Sequence, residues 1–177
     1  MWPAFENSAK AALPNAVVVH DKFHVARHLN EAVDKVRKTE HRKLMAEGDE
    51  TLKGTKYEWL RKRGDLRRTE AATFRTLHKL NLKTARAWHL KESFDGFWDY
   101  RYLAAAKRFF KDWQATAMRS RLEPLKQVAR MLKAHEPELL NYLLHRITNA
   151  SSEGFNSLIQ NIKANARGLH DFLSFRT

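Results

Sequence analysis

"PNAVVVHDKFHVARHLNEAVDKVR", residues 14–37, changes its hydrophobic period partway along, and that change decides which folds are open to the chain. Pro14 and Asn15 are turn residues, and the small or β-branched run Ala16 to Val19 that follows reads as a buried strand over residues 16–20. From Val25 the apolar positions recur at helical spacing through Leu29, Ala32, Val33, Val36 and Leu44, and the pattern runs to Gly48. A helix beginning near Phe23 takes Asp21 as its N-cap, with the carboxylate satisfying early backbone N–H groups. The strand raises a difficulty that the helix does not. It is the only good strand pattern in the chain, and a lone strand leaves its backbone groups unpaired. Either residues 16–20 are not a strand, or their sheet partners lie upstream of Met1. An unpartnered strand would also invite pairing between molecules, so a homo-oligomer is expected in that case.

Outward from this stretch the period is helical almost everywhere. Trp2, Phe5, Ala9 and Ala12 mark a short helix before the turn. After Gly48, "LKGTKYEWLRKRGDL" (52–66) reads as a break around one short helix, because it carries two glycines. Phe74, Leu77 and Leu80 mark a further segment. "LKTARAWHLKESFDGFW" (82–98) and "YLAAAKRFFKDWQATA" (102–117) repeat aromatic residues three and four apart. Two shorter helices follow "SRLEP" (120–124), divided at Pro137, and "RITNASSEGFNSLIQNIKANARG" (146–168) reads as a last amphipathic helix. The expectation is a mainly α protein.

Charge narrows the function. The 177 residues include 33 Lys and Arg against 20 Asp and Glu, a formal charge of +13, which makes a polyanion the expected partner. Phosphate backbones and anionic membranes would both satisfy it. No apolar run reaches the ~18 residues of a membrane span, and the first residues lack the order of a signal peptide, so a cytosolic protein is expected. Cysteine is absent, so any metal must be held by oxygen or imidazole. Between Lys53 and Lys91 there are twelve Lys or Arg and three acids, with Trp59 and Trp88 among them. Lys53, Lys56, Arg61, Lys62, Arg63, Arg67 and Arg68 are the candidate phosphate contacts, set against the plainer reading of a solvated helix face. Aromatic residues at helical spacing are usually core. Trp59, beside a glycine-rich break and the Arg61-Lys62-Arg63 run, is the candidate for stacking on an unpaired base.

The histidines His20, His24 and His28 are four apart, but only His24 and His28 share a helical face, and no acid is placed between them as a metalloprotease base would be. Glu153 is the single acid between the basic ends of its helix. Taken alone, it is a first-turn acid favoured by the helix dipole, with Asn149 or Ser151 as cap.

"DKFHVARHLNEAVDKVR" (21–37), "LKGTKYEWLRKR" (52–63), "NLKTARAWHLKESFDGFW" (81–98), "SRLEPLKQVARMLKAH" (120–135) and residues 146–168 together resemble the carboxy-terminal half of bacterial insertion-sequence transposases of the L-three family. The resemblance keeps its order over essentially the whole chain. It implies a ribonuclease-H-like α/β catalytic core, a mixed sheet whose Asp-Asp-Glu triad binds two divalent cations, Mg2+ or Mn2+, with a helical domain inserted before the last acid. On this basis residues 1–23 are a helix and strand of that core, 24–147 the all-helical insertion, and 148–177 the core helix carrying the final acid. Glu153 matches that acid and would be a metal ligand in two-metal phosphoryl transfer. Asn156, Lys163 and Arg167 on the same helix would meet the DNA. Asp21 and His24 match an Asp-or-Cys, two residues, His element that the resemblance places near the active site. The family's two catalytic aspartates precede the matched region, so this chain is expected to be an inactive piece of an enzyme that cuts and joins insertion-sequence ends into target DNA. Its implied place is the bacterial cytoplasm, on the nucleoid. The rival is a DNA-binding remnant or regulator without catalysis. A helical interaction scaffold would leave the basic middle unexplained.

Overall fold

The helix read from Val25, Leu29, Val33 and Val36 is present as α1, Lys22–Ala46, with those residues on its buried face. In this computed structural model the described residues are 8, 11–15, 17–65, 74–77, 79–80, 82–146 and 150–165. Asp21 accepts a hydrogen bond from Phe23 N at 2.9 Å, the capping role its residue type suggested. At the other end Glu47 N returns to the carbonyls of Lys43 and Leu44, and Gly48 follows with φ +79°, a conformation that stops a helix and costs glycine least.

Further helices among the described residues are α2 (Lys56–Leu60), α3 (Lys83–Asp95), α4 (Leu103–Arg119), α5 (Glu123–Ala134), α6 (Glu136–His145) and α7 (Ala150–Asn165). Short 3-10 turns occupy Arg63–Asp65 and Gly96–Asp99, and residues 74–77 are helical. Pro124 and Pro137 stand in the first turns of α5 and α6, where a missing N–H costs nothing. The described chain is thus mainly α, as expected. The helix anticipated between Trp2 and Ala12 lies largely outside the described residues, whereas Pro14 and Asn15 do form a turn.

The strand does not form: among the described residues there is none, and residues 17–20 have no regular secondary structure. They lie instead along α6. Asn141 Nδ2 donates to Val18 O at 2.9 Å, and His20 N donates to Glu138 O at 3.2 Å. Two backbone groups that a sheet would have paired are therefore satisfied within the chain, which removes the stated reason for pairing between molecules. The β-branched run favours an extended backbone, but only neighbours can make an extended backbone into a strand.

The chain divides into two compact units, Met1–Arg146 and Ile147–Thr177. In the first, α1 packs against α2, α3 and α5, while α4 packs against α3, α5 and α6. Phe94 of α3 is fully buried, with the rings of Phe97, Trp98, Phe110 and Trp113 around it at centroid distances of 4.6 to 6.4 Å. Each such side chain contributes about 1.5–3 kcal/mol by leaving water. Trp113 Nε1 donates to Leu90 O at 2.9 Å, so even the polar edge of that ring is satisfied in the core. In the second unit α7 exposes Phe155, Leu158, Ile159 and Ile162, one helical face.

Candidate nucleic-acid interface

The basic stretch begins where α1 stops. Asp49 accepts from Thr51 N at 2.8 Å and from the Thr51 hydroxyl, closing a turn that buries Leu52 and leaves Lys53 outside. Thr55 then donates its hydroxyl to Leu52 O at 2.8 Å and accepts from Trp59 Nε1 at 3.1 Å, which sets α2 on the body of the unit. Trp59 is completely buried and meets Phe74 edge-on at 5.0 Å, and Phe74 meets Trp88 at 4.7 Å. Stacking on a base needs an open ring face. Trp59 has none, so the expected stacking platform is corrected to a core residue whose one polar atom is paired internally.

After Trp59 the chain leaves the helix at Arg61, whose backbone is extended, and is held on α3 by three consecutive attachments. The Lys91 ammonium donates to the carbonyls of Trp59, Leu60 and Arg61 at 3.2, 3.1 and 3.0 Å. Lys62 Nζ meets both oxygens of Asp95 at 2.9 and 3.0 Å, and Arg63 N donates to Glu92 Oε2 at 3.2 Å. The hydrogen bond it donates to Asp95 holds the Lys62 ammonium above the ordinary lysine range, and burial pushes Lys91 below it against the pull of Glu92.

Of the cations expected to meet phosphate, Lys53, Lys56, Lys62 and Arg63 are exposed, and Arg61 is half-buried. Lys53 pairs with Glu50 at 2.7 Å, and Lys56 sits over the Tyr57 ring at 5.4 Å. Arg67 and Arg68 lie outside the described residues. Lys91 departs from its window-mates, being buried, and the sequence held a signal for this. Thr84, Ala87, Trp88 and Phe94, the buried stripe of α3, leave position 91 on the same face. The window count also missed α4, where Lys107, Arg108, Lys111 and Arg119 are all exposed and Asp112 is the only acid. By contrast, Lys126 and Arg130 of α5 both pair with Glu123, at 3.6 and 2.9 Å, and Lys133 pairs with Glu136.

Asp21 and His24, two of the residues expected to be catalytic, both stand at the start of α1 in the first unit. Asp21 is buried as the cap of α1, while His24 is exposed one turn along. Glu153 lies on α7 in the second unit, where Asn156 is exposed; the side chains of Glu153 and Lys163, and the whole of Arg167, lie outside the described residues. Among the described residues no three His, Asp or Glu side chains are grouped to hold a cation, so those residues do not fit a two-metal centre. No described helix is long and apolar enough to cross a membrane.

The chain is similar to the transposase for insertion sequence element IS1001 of Bordetella parapertussis, 28% identical over 174 residues. That alignment covers 97% of this chain and 43% of the relative, so the chain spans less than half the relative's length. No solved structure matches it. The sequence pattern of the ISL3 transposases, which is the L-three family, matches residues 1–177. The chain belongs to the ISL3-type DDE transposase family.

Proposed function

We propose that the first unit holds DNA for a transposase that cuts and joins insertion-sequence ends, and that its contact surface is the stretch from Lys53 to Arg68. One observation carries this reading. The densest cation run, Arg61-Lys62-Arg63, is fixed through its backbone to α3, and Arg63 at its end is exposed where a phosphate could meet it. A cationic surface of this kind binds by releasing counterions from the phosphate backbone, so it favours any duplex at low salt and gives little sequence choice. Base reading would belong to other parts of a full-length protein.

In the same reading residues 1–23 and 148–177 are pieces of a ribonuclease-H-like core, and Glu153 is the last acid of the triad that binds Mg2+ or Mn2+. Asn156, Lys163 and Arg167 lie along the same stretch of chain and would meet the DNA near it. Support for Glu153 is its match to the family's final acid. Asp21 acts on the fold, as a cap, and His24 remains the better candidate of that pair for contact with DNA or metal.

The test is a fluorescence-anisotropy titration of a short duplex at several salt concentrations. Arg61, Lys62 and Arg63 changed together to Glu should weaken binding to any duplex and flatten the salt dependence, since each lost phosphate contact removes ~0.9 from the slope. The same reversal at Lys126, Arg130 and Lys133, all paired with acids, should do less. Equal losses from both triples would leave net charge as the sole determinant, and the localised surface would be withdrawn.

A further inference from the structure

Between α3 and α4 lies an open groove of 670 Å3, a volume within the ~300–1,000 Å3 of small-molecule sites, and no residue of the 53–68 stretch lines it. Its deeper lining is apolar. Leu90 and Trp113 are buried there and joined by the bond from Trp113 Nε1 to Leu90 O, while the half-buried rings of Tyr100 and Phe109 line it with centroids 5.3 Å apart. The exposed lining is polar, with Arg108 and Asp112 one turn apart on α4. Two hydroxyls there are already committed as donors: Ser93 Oγ donates to Leu90 O at 2.9 Å and Thr116 Oγ1 to Asp112 O at 2.8 Å. Toward a ligand they can only accept.

The cations continue past the groove. Lys107 and Lys111 are exposed beside Arg108, and unlike Lys126, Arg130 and Lys133 these three have no acid at ion-pair distance among the described residues. A duplex could use the cations but not the groove, because paired and stacked bases cover one another's faces. An unpaired base can use both, with its ring in the apolar part, its N–H donors toward Asp112 and the two hydroxyls, and its phosphates on the cations. A second copy of this chain, with a formal charge of +13, would bring like charge to the same cations. We propose that the groove between α3 and α4 holds an unpaired base of DNA, with Tyr100 and Phe109 against the base and Lys107, Arg108 and Lys111 on the neighbouring phosphates. This shares with the reading above only that DNA is the partner, and it does not use the 53–68 surface.

The test titrates the 177-residue chain by fluorescence anisotropy over a salt series with oligo-dC, whose bases carry amino donors, and with a duplex of the same length. Far-UV circular dichroism checks the fold of each variant. Y100L/F109L keeps apolar side chains but removes both rings; it should weaken oligo-dC binding about tenfold or more and leave the duplex within about twofold. K107Q/R108Q/K111Q should instead flatten the salt slope on oligo-dC by about two, as ~0.7 is lost per contact on a single strand. A folded Y100L/F109L with the wild-type affinity for oligo-dC overturns the proposal, and so does a loss that is equal for strand and duplex. Should that variant fail to fold, A104L, which fills the groove from an exposed position and takes nothing from the core, is read by the same criteria. A dimer seen by light scattering that Y100L/F109L abolishes, with strand binding intact, assigns the groove to a second copy and overturns the proposal equally. Equal losses from the two charge-reversal triples would withdraw the 53–68 surface and leave this site standing.

Discussion

Helix α3 starts without a cap of its own: the residue before it is Leu82, which has no side-chain oxygen to offer the first N–H groups. The cap comes from α1. Glu40 Oε1 accepts from Lys83 N at 2.8 Å, and Oε2 accepts from Thr84 N and Thr84 Oγ1, both at 2.7 Å. Changing Glu40 to Ala strands these donors unequally. Lys83 is exposed, so water can replace its partner, but Thr84 is completely buried. Loss of an N-cap costs about 1 kcal/mol, and a buried donor left without an acceptor adds about 1–2 kcal/mol more, giving roughly 2–3 kcal/mol. For a domain of this size that corresponds to a fall in Tm of about 4–12 °C. Thermal melts followed by far-UV circular dichroism measure it. Glu40→Gln keeps one acceptor and should lose about half as much, while Glu47→Ala, which breaks an exposed 3.8 Å pair with Lys43, should stay within about 0.5 kcal/mol of wild type. A Glu40→Ala melt within about 2 °C of wild type would refute the reasoning, because it would show that water or another side chain replaces the cap at no cost.

Trp59→Ala should destabilise the unit by about 3–5 kcal/mol in denaturant titrations, while the milder Trp59→Phe should keep the wild-type affinity for single-stranded DNA; a selective loss of that affinity in the folded Phe variant would return Trp59 to the DNA surface. Acid should weaken the fold through Asp34. Burial raises its pKa, but hydrogen bonds from Lys38 and Arg37 outweigh this and hold the carboxyl below its ordinary 3.8. A depressed carboxylate contributes stability that is present above the unfolded pKa and lost as pH falls through the folded one, so the loss should set in from about pH 4 downward and be smaller in Asp34→Asn. The 177-residue chain should show no Mg2+- or Mn2+-dependent nicking of plasmid DNA, because a single matched acid, Glu153, cannot hold two cations. Nicking that disappears in Glu153→Gln would overturn the inactivity and assign the acid, and nicking indifferent to that change would remove the assignment.

The sequence by itself determined where most helices begin and end. Asp21 caps α1, Gly48 closes it, and Pro124 and Pro137 open α5 and α6, because each of these signals acts within about one turn of backbone. It also determined the family, whose motifs are linear. Which side chains face inward was decided by the tertiary structure. The run Ala16 to Val19 favours extension locally, but strand pairing needs a distant neighbour, and residues 17–20 found polar atoms of α6 instead. Trp59 and Lys91 were read from the sequence as members of a basic, aromatic-rich window, although helical spacing already set both on apolar faces. Their burial depends on Phe74, and on carbonyls 30 to 32 residues away from the lysine. Glu40, unremarked on the sequence, caps a helix 43 residues further along. Composition counts charges and periodicity places them on helix faces, but a charge is spent on solvent, phosphate or backbone according to which helix packs against that face, and packing is a property of the whole chain.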